Sequence, residues 1–249
     1  MAGCCTPSGY RKIFGERAAR RDLRKYRRRG LDRAARRIVG FLTDRGVDGN
    51  SVLEVGGGVG AIQLELLKAG AARTTNVELS PEYEPFAAEL LGDDTRVERR
   101  LGDFVRDAAD VPPADDVVLH RVVCCYPDPE ALVGAAAQRA RRRLVLSFPP
   151  DTRLFRAGTV LLNAYLALTR TEFRTFVHPQ ATILGAARGL EPVFHARTRM
   201  WRIVGFERAR PEGEEAGALE EGATREPGRS PGTATRPGGP STGGSGAAC

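Results

Sequence analysis

Apolar positions between residues 16 and 45 recur at threes and fours: Ala18, Leu23, Tyr26, Leu31, Ala34, Ala35, Ile38, Phe41 and Leu42. That spacing puts them on one side of a helical repeat and predicts two helices joined near Gly30, where the pattern breaks. From Ser51 the period changes. Val52–Val55 and Thr74–Glu78 are short β-rich runs flanking a helical stretch from Ala61 to Ala69, which is a βαβ unit. The alternation continues with a helix over Glu84–Leu91, strands at Val97–Leu101 and Asp116–Val122, a helix over Pro129–Ala140 and a strand at Leu144–Phe148. Strands interleaved with helices in this way predict an α/β fold: a Rossmann-like, doubly wound sheet, mostly parallel, with helices on both faces. Beyond it come an apolar helix over Phe155–Leu168, a helix over His178–Arg188, and β-like runs Pro192–Arg199 and Trp201–Glu207 that predict a C-terminal antiparallel hairpin.

Three segments follow from this pattern: a basic helical arm at 1–50, an α/β domain at 51–210, and a tail at 211–249. The tail has no aromatic residue and is built largely from Gly, Pro, Ser, Thr, Glu and Ala. Such a segment buries too little apolar surface to offset its ordering entropy, so disorder is expected there. It carries six Glu and three Arg, which leaves 35 basic and 25 acidic residues in 1–210 and makes the folded part more basic than the net +7 of the whole chain. A basic surface fits nucleic acid, a membrane surface or an acidic small molecule, and does not choose among them. The arginines between the apolar positions of the arm (Arg20, Arg21, Arg24, Arg27, Arg28 and Arg29) form either a solvated face or an anion-binding one.

No stretch approaches the ~20 apolar residues of a membrane span, and the N-terminus runs into arginines without the apolar core of a signal peptide. A cytoplasmic protein is expected. Cys4, Cys5, Cys124, Cys125 and Cys249 show no C-x-x-C spacing, and His120, His178 and His195 are scattered, so reduced thiols and no metal site are expected. Nothing in the pattern fixes an oligomeric state.

The chemistry concentrates at strand ends. Gly56, Gly57, Gly58 and Gly60 follow a strand and precede a helix, where absent side chains allow a tight turn and let backbone amides approach a ligand. Alone, that turn also satisfies the dinucleotide pattern G-x-G-x-x-G/A through Gly56, Gly58 and Ala61. Glu78, ending the second strand in Asn76-Val77-Glu78-Leu79-Ser80, can accept hydrogen bonds from both ribose hydroxyls of either kind of nucleoside. Two further acids separate the alternatives: Glu54, two positions before the first glycine, and Asp103, in Leu101-Gly102-Asp103-Phe104 after the third strand.

Glu54-Val55-Gly56-Gly57-Gly58-Val59-Gly60 resembles motif I of class I S-adenosylmethionine-dependent methyltransferases, E/D-x-G-x-G-x-G. The resemblance covers about residues 10–207. It implies S-adenosyl-L-methionine as cofactor, held by Glu54, Gly56, Gly57, Gly58 and Gly60 at its methionine end. It further implies Glu78 and Leu79 at the ribose, and Asp103 and Phe104 at the adenine. The arm would then cover the cofactor. Gly9–Gly15, Leu119–Asp128 and Arg143–Pro150 look distantly like magnesium-protoporphyrin O-methyltransferases, which implies a small-molecule acceptor. Cys125 stands where that family has a histidine before Tyr-Pro, so its candidate general base is absent.

Ligands of open α/β sheets lie beyond the carboxyl ends of the strands, so the end of the fourth strand, His120 to Asp128, should face the methyl acceptor. Tyr10, His120 and Tyr126 are the candidate proton acceptors there. Methyl transfer to a small molecule, on oxygen, nitrogen or carbon, is the expected function. A tRNA or rRNA methyltransferase using the arginine-rich arm and a non-enzymatic interaction module on the same fold are the alternatives.

Overall fold

Val52 and Leu53, Val117 to Leu119, and Leu144 to Leu146 are apolar at every position, as strands covered on both faces must be. In the computed structural model, which describes residues 10–209, they form the centre of a seven-stranded sheet. The strands are β1 (Ser51–Val55), β2 (Arg73–Glu78), β3 (Val97–Leu101), β4 (Ala114–His120), β5 (Ala140–Phe148), β6 (Leu190–Arg197) and β7 (Arg202–Arg208). Their order is β3-β2-β1-β4-β5-β7-β6. β1 to β5 run parallel, and β7 lies antiparallel between β5 and β6. The fold is thus the mostly parallel, Rossmann-like α/β sheet with an antiparallel C-terminal hairpin that the periodicities predict. The tail from 211 onward, Gly9, and Cys4, Cys5 and Cys249 lie outside the described residues.

The helices are α1 (Glu16–Arg29), α2 (Arg33–Asp44), α3 (Ala61–Lys68), α4 (Glu84–Leu91), α5 (Phe104–Asp107), α6 (Pro129–Arg139), α7 (Arg153–Leu168) and α8 (Gln180–Ala186). Alternate strand residues feed two cores. Leu53, Val117, Leu119, Leu144, Leu146 and Phe206 pack with Leu132, Val133 and Ala136 of α6 and Ile183 of α8. Val52, Val118, Val145 and Ile203 face the other way, onto Ala34, Ile38, Phe41 and Leu42 of α2 and Ile62 and Leu66 of α3. The three-and-four spacing read in the arm is therefore the buried stripe of α2. The break falls where expected: Gly30 adopts φ 65°, and Asp32 caps α2 by accepting from the amides of Ala34 and Ala35.

Some boundaries shift for local reasons. β4 ends at His120 instead of Val122, because Arg121 turns into the left-handed region at φ 63°. β5 begins at Ala140, not Leu144, since the charged run Arg141 to Arg143 is carried into the sheet, with Arg143 paired to buried Asp116. The helix predicted over 178–188 is trimmed to α8 by Pro179 at its start and an early end at Ala186. The apolar helix over 155–168 forms as α7, starting at Arg153 behind a Thr152 cap, yet only Leu166 of its side chains is buried.

β1 has β2 on one side and β4 on the other, so the chain direction of the windings reverses between β1 and β4. A crevice at the carboxyl ends of these two strands is the consequence.

Candidate active site

The crevice opens into a cavity of about 370 Å³, within the usual range for small-ligand pockets. Its wall includes Glu54, Gly56, Gly57, Gly58, Glu78, Leu79, Asp103 and Phe104, together with Tyr10, His120 and Tyr126. Residues separated by more than a hundred positions in sequence thus meet at one place. Gly60 is not part of that wall; it precedes α3 at φ 81°.

The glycine turn is held from beneath by side chains of β2. The amide of Gly57 donates to Asn76 Oδ1 at 2.8 Å and that of Gly58 donates to Glu78 Oε2 at 2.9 Å. A Cβ on Gly57 would stand 2.5 Å from Glu54 Oε2, so only glycine fits above that carboxylate. Gly56 and Gly58 take left-handed conformations, φ 66° and 57°. Arg99 of β3 clamps the outer side, donating to the Gly58 carbonyl at 2.8 Å while paired with Glu84. Neither Asn76 nor Arg99 stands out in the sequence. Asn76 is one polar residue within a strand, and Arg99 is one arginine among many.

Glu54 is fully buried, and its Oε2 has no hydrogen-bond partner. Burial pushes its carboxyl up to about 8, against the opposing pull of Arg99 and with a further push from Glu78. Two other buried polar atoms beside the turn, Asn76 Nδ2 and Ser80 Oγ, also lack partners. Buried polar groups in folded proteins are normally paired, so three orphans around one turn call for an explanation.

Glu78 is held differently. Its Oε1 accepts from the amides of Leu79 and Ser80 at 2.9 and 3.0 Å, and its Oε2 from Gly58. Burial raises its proton affinity, and the three amides and Arg99 work against that rise. Asp103 caps α5 by accepting from Val105, and the Tyr126 hydroxyl lies 3.4 Å from the same oxygen, Oδ1. Phe104 is buried in the core beneath, so it forms the cavity floor.

At the far side of the cavity His120 Nδ1 lies 2.9 Å from Ser147 Oγ, which also accepts from the Arg121 amide. Burial and the adjacent Arg121 pull the imidazole down to about 3, so it is neutral at pH 7. Arg121 pairs with Asp32 at the start of α2 and lies over the Trp201 ring, 5.0 Å from its centroid. Asp32 and Arg121 were not singled out by the sequence pattern, and only the left-handed backbone of a non-glycine residue points to the second. The Tyr10 hydroxyl donates to the Cys125 carbonyl at 2.6 Å, and its ring packs on Phe14 and Phe173. Cys124 is buried with its sulfur 3.7 Å from that of Cys125, a contact that lowers its proton affinity against the effect of burial. Among the described residues no group of three or more His, Cys, Asp or Glu side chains could hold a metal ion.

No protein-family model matches the chain, and no curated protein matches its sequence. Solved structures do match. Magnesium protoporphyrin IX methyltransferase from Synechocystis, with bound S-adenosylhomocysteine, aligns at 23% identity over 81% of this chain and 93% of its own, with a TM-score of 0.57. An O-methyltransferase family protein from Burkholderia thailandensis aligns at 18% identity over 79% of this chain and 61% of its own, at 0.59. Geranyl diphosphate methyltransferase in complex with S-adenosylmethionine aligns at 15% identity over 70% of this chain and 85% of its own, at 0.54. All three likenesses are below 25% identity and speak for the fold: the chain has the fold of class I S-adenosylmethionine-dependent methyltransferases.

Proposed function

We propose that this protein transfers a methyl group from S-adenosyl-L-methionine to a small molecule. The observation that carries the proposal is the orphaned, fully buried carboxylate oxygen of Glu54 under a turn where only glycine fits. A buried carboxylate without a partner needs a cationic or hydrogen-bond donor group, and the amino end of this cofactor is one. Bound there, the cofactor supplies an activated methyl on a sulfonium, so that transfer depends on positioning and exclusion of water.

The chain's own residues divide that work. Glu54 and the glycine turn, whose missing side chains let the ligand come close to the backbone, receive the methionine end. Glu78, already oriented by Leu79, Ser80 and Gly58, offers its oxygens to ribose hydroxyls. Asp103, fixed by its capping bond, receives the adenine amino group. The arm is the lid: Asp22 of α1 accepts from Tyr83 at 3.1 Å, and Asp32 of α2 grips Arg121. His120, kept neutral, and Tyr126 flank the acceptor. Tyr10 donates its proton to the Cys125 carbonyl and so positions the arm.

Two of the arm arginines pair with acids of the same chain, Arg20 with Glu16 and Arg27 with Glu89, which leaves less of the arm's charge for RNA. Calorimetry with S-adenosylhomocysteine followed by a labelled-methyl screen of candidate acceptors tests the proposal. Folded protein that does not bind S-adenosylhomocysteine ends it. Tight, salt-dependent binding to RNA instead of small acceptors would move the acceptor class to nucleic acid.

A further inference from the structure

Nine large apolar side chains are exposed among the described residues, and six of them belong to α7: Leu154, Val160, Leu161, Leu162, Tyr165 and Leu168. Four form a single stripe. At 100° per residue Leu154, Leu161, Tyr165 and Leu168 fall within about 60° of one another, and they are 79%, 72%, 62% and 84% exposed. The opposite side carries the anchoring contacts. Leu166 packs with Tyr10 and Phe173, and Asn163 exchanges two hydrogen bonds with the backbone of Thr175. The helix is therefore held firmly by one side while it displays leucines on the other. A patch of that kind on a folded chain marks an interaction surface.

Charge selects the occupant. α7 contains no acidic residue; of the two arginines in its first turn Arg153 borders the stripe, while Arg156 pairs with Asp151 on the far side. Past its end lie Arg170 and Arg174, with Lys12 donating to the carbonyls of Thr169 and Arg170. Even with Asp151 and Glu172 counted, each end of the stripe is net positive. A second copy packed antiparallel about a twofold axis would bring these two ends together, like charge on like charge. Residues 211–249 offer one large apolar side chain, Leu219, too little to cover the stripe. With 16 residues, α7 reaches about 24 Å, and no helix among the described residues is long and apolar enough to cross a membrane.

We propose that α7 lies flat on an anionic lipid surface, its leucine stripe in the acyl boundary and Arg153 and Arg170, at its two ends, among the phosphates. The same helix abuts the cavity through Tyr10 and Cys125, which belong to both the α7 anchor and the cavity wall. The seat on the bilayer would bring the acceptor end of the cavity close to the lipid. The proposal stands on exposure and charge alone, whatever reaction the cavity performs.

Flotation of the full chain with vesicles of phosphatidylcholine, alone or mixed with phosphatidylglycerol, tests it. Partition should favour the anionic vesicles, by roughly fivefold for each arginine that reaches the surface, and should fall as salt rises. The double change Leu161→Ser and Leu168→Ser, both exposed, should reduce partition by about tenfold or more with the circular dichroism spectrum and melting temperature unchanged. Arg153→Gln with Arg170→Gln should instead remove the preference for anionic over neutral vesicles. Equal partition to both vesicle types, or unchanged partition of the leucine variant, overturns the proposal. So does sedimentation of a stable lipid-free dimer that the leucine variant dissociates, which would give the stripe to a second copy.

Discussion

β1 and β4 lie side by side, and each buries an acid, yet the two ends of the pair treat that acid in opposite ways. At the amino-terminal end Asp116 is wholly inaccessible and fully served. Arg143 donates to it through Nε at 2.6 Å, Asn50 donates at 2.9 Å, and the remaining guanidinium nitrogens reach the carbonyls of Arg45 and Gly46. At the carboxyl end Glu54 is equally buried, and one of its oxygens has nothing to accept from. An acid buried as a charge among partners locks the fold, whereas one buried without them is held as the neutral acid and leaves a polar atom unpaired. The contrast separates the structural end of the sheet from the end proposed to hold the cofactor, without reference to any relative.

The largest expected effect is on the structural side. Asp116→Ala leaves Arg143 buried without its counter-charge and should cost about 3–5 kcal/mol of unfolding free energy, read from denaturant midpoints. A loss near zero would mean that the pair is ornamental and that the contrast with Glu54 is empty.

Glu54→Gln should do the reverse. The wild-type carboxyl is already mostly neutral below pH 8, so the neutral amide should leave the unfolding free energy at pH 7 nearly unchanged, while affinity for S-adenosylhomocysteine falls by about 1.5–3 kcal/mol, the worth of a hydrogen bond to a charged group. If stability and affinity fell together, Glu54 would be a second Asp116.

The same carboxyl sets a pH dependence. Its proton affinity in the folded chain, about 8, lies above the ordinary glutamate value of 4.5. The free chain is therefore favoured by protonation of Glu54, a contribution fully present below pH 4.5 and lost as pH rises through 8. Binding a cationic amino group requires the carboxylate, so affinity for S-adenosylhomocysteine should rise from pH 6 to 8 by up to tenfold per unit, about 1.4 kcal/mol. A flat calorimetric profile in wild type, or the same slope in Glu54→Gln, would detach the proton from this residue.

Much of this was legible in the sequence, because it was written in periodicity. A mostly parallel sheet with a terminal hairpin follows from βα alternation, and Glu54, Glu78 and Asp103 fall at strand ends that the apolar runs delimit. What stayed hidden depends on contacts across the chain. Asp116 and Arg143 read as ordinary charges interrupting two strands, since 27 positions separate them and only the register of β4 on β5 makes them partners. Arg121 and Asp32, 89 positions apart, become a latch only when the arm folds back. The exposure of α7 was equally invisible, because an apolar run looks the same whether its outer face is covered or bare.

Two asparagines repeat the contrast at smaller scale. Asn50 donates to Asp116 and to the Gly46 carbonyl, and accepts from Arg142 at 3.1 Å, so its amide is engaged at both ends. Asn76 accepts from Gly57, and its Nδ2 has no partner. Asn50→Ala removes a hydrogen bond to a charged group and should cost roughly 1.5–3 kcal/mol of stability, with cofactor affinity untouched. Asn76→Ala removes one neutral bond and should cost only about 0.5–1.5 kcal/mol, while S-adenosylhomocysteine binding weakens several-fold because the Gly57 amide loses the acceptor that fixes the turn. Parallel thermal unfolding and calorimetry on the two variants would decide it. Equal losses of stability, with affinity unchanged in both, would show that the orphaned atoms at the carboxyl end of the sheet are defects of packing and not the unfilled half of a binding site.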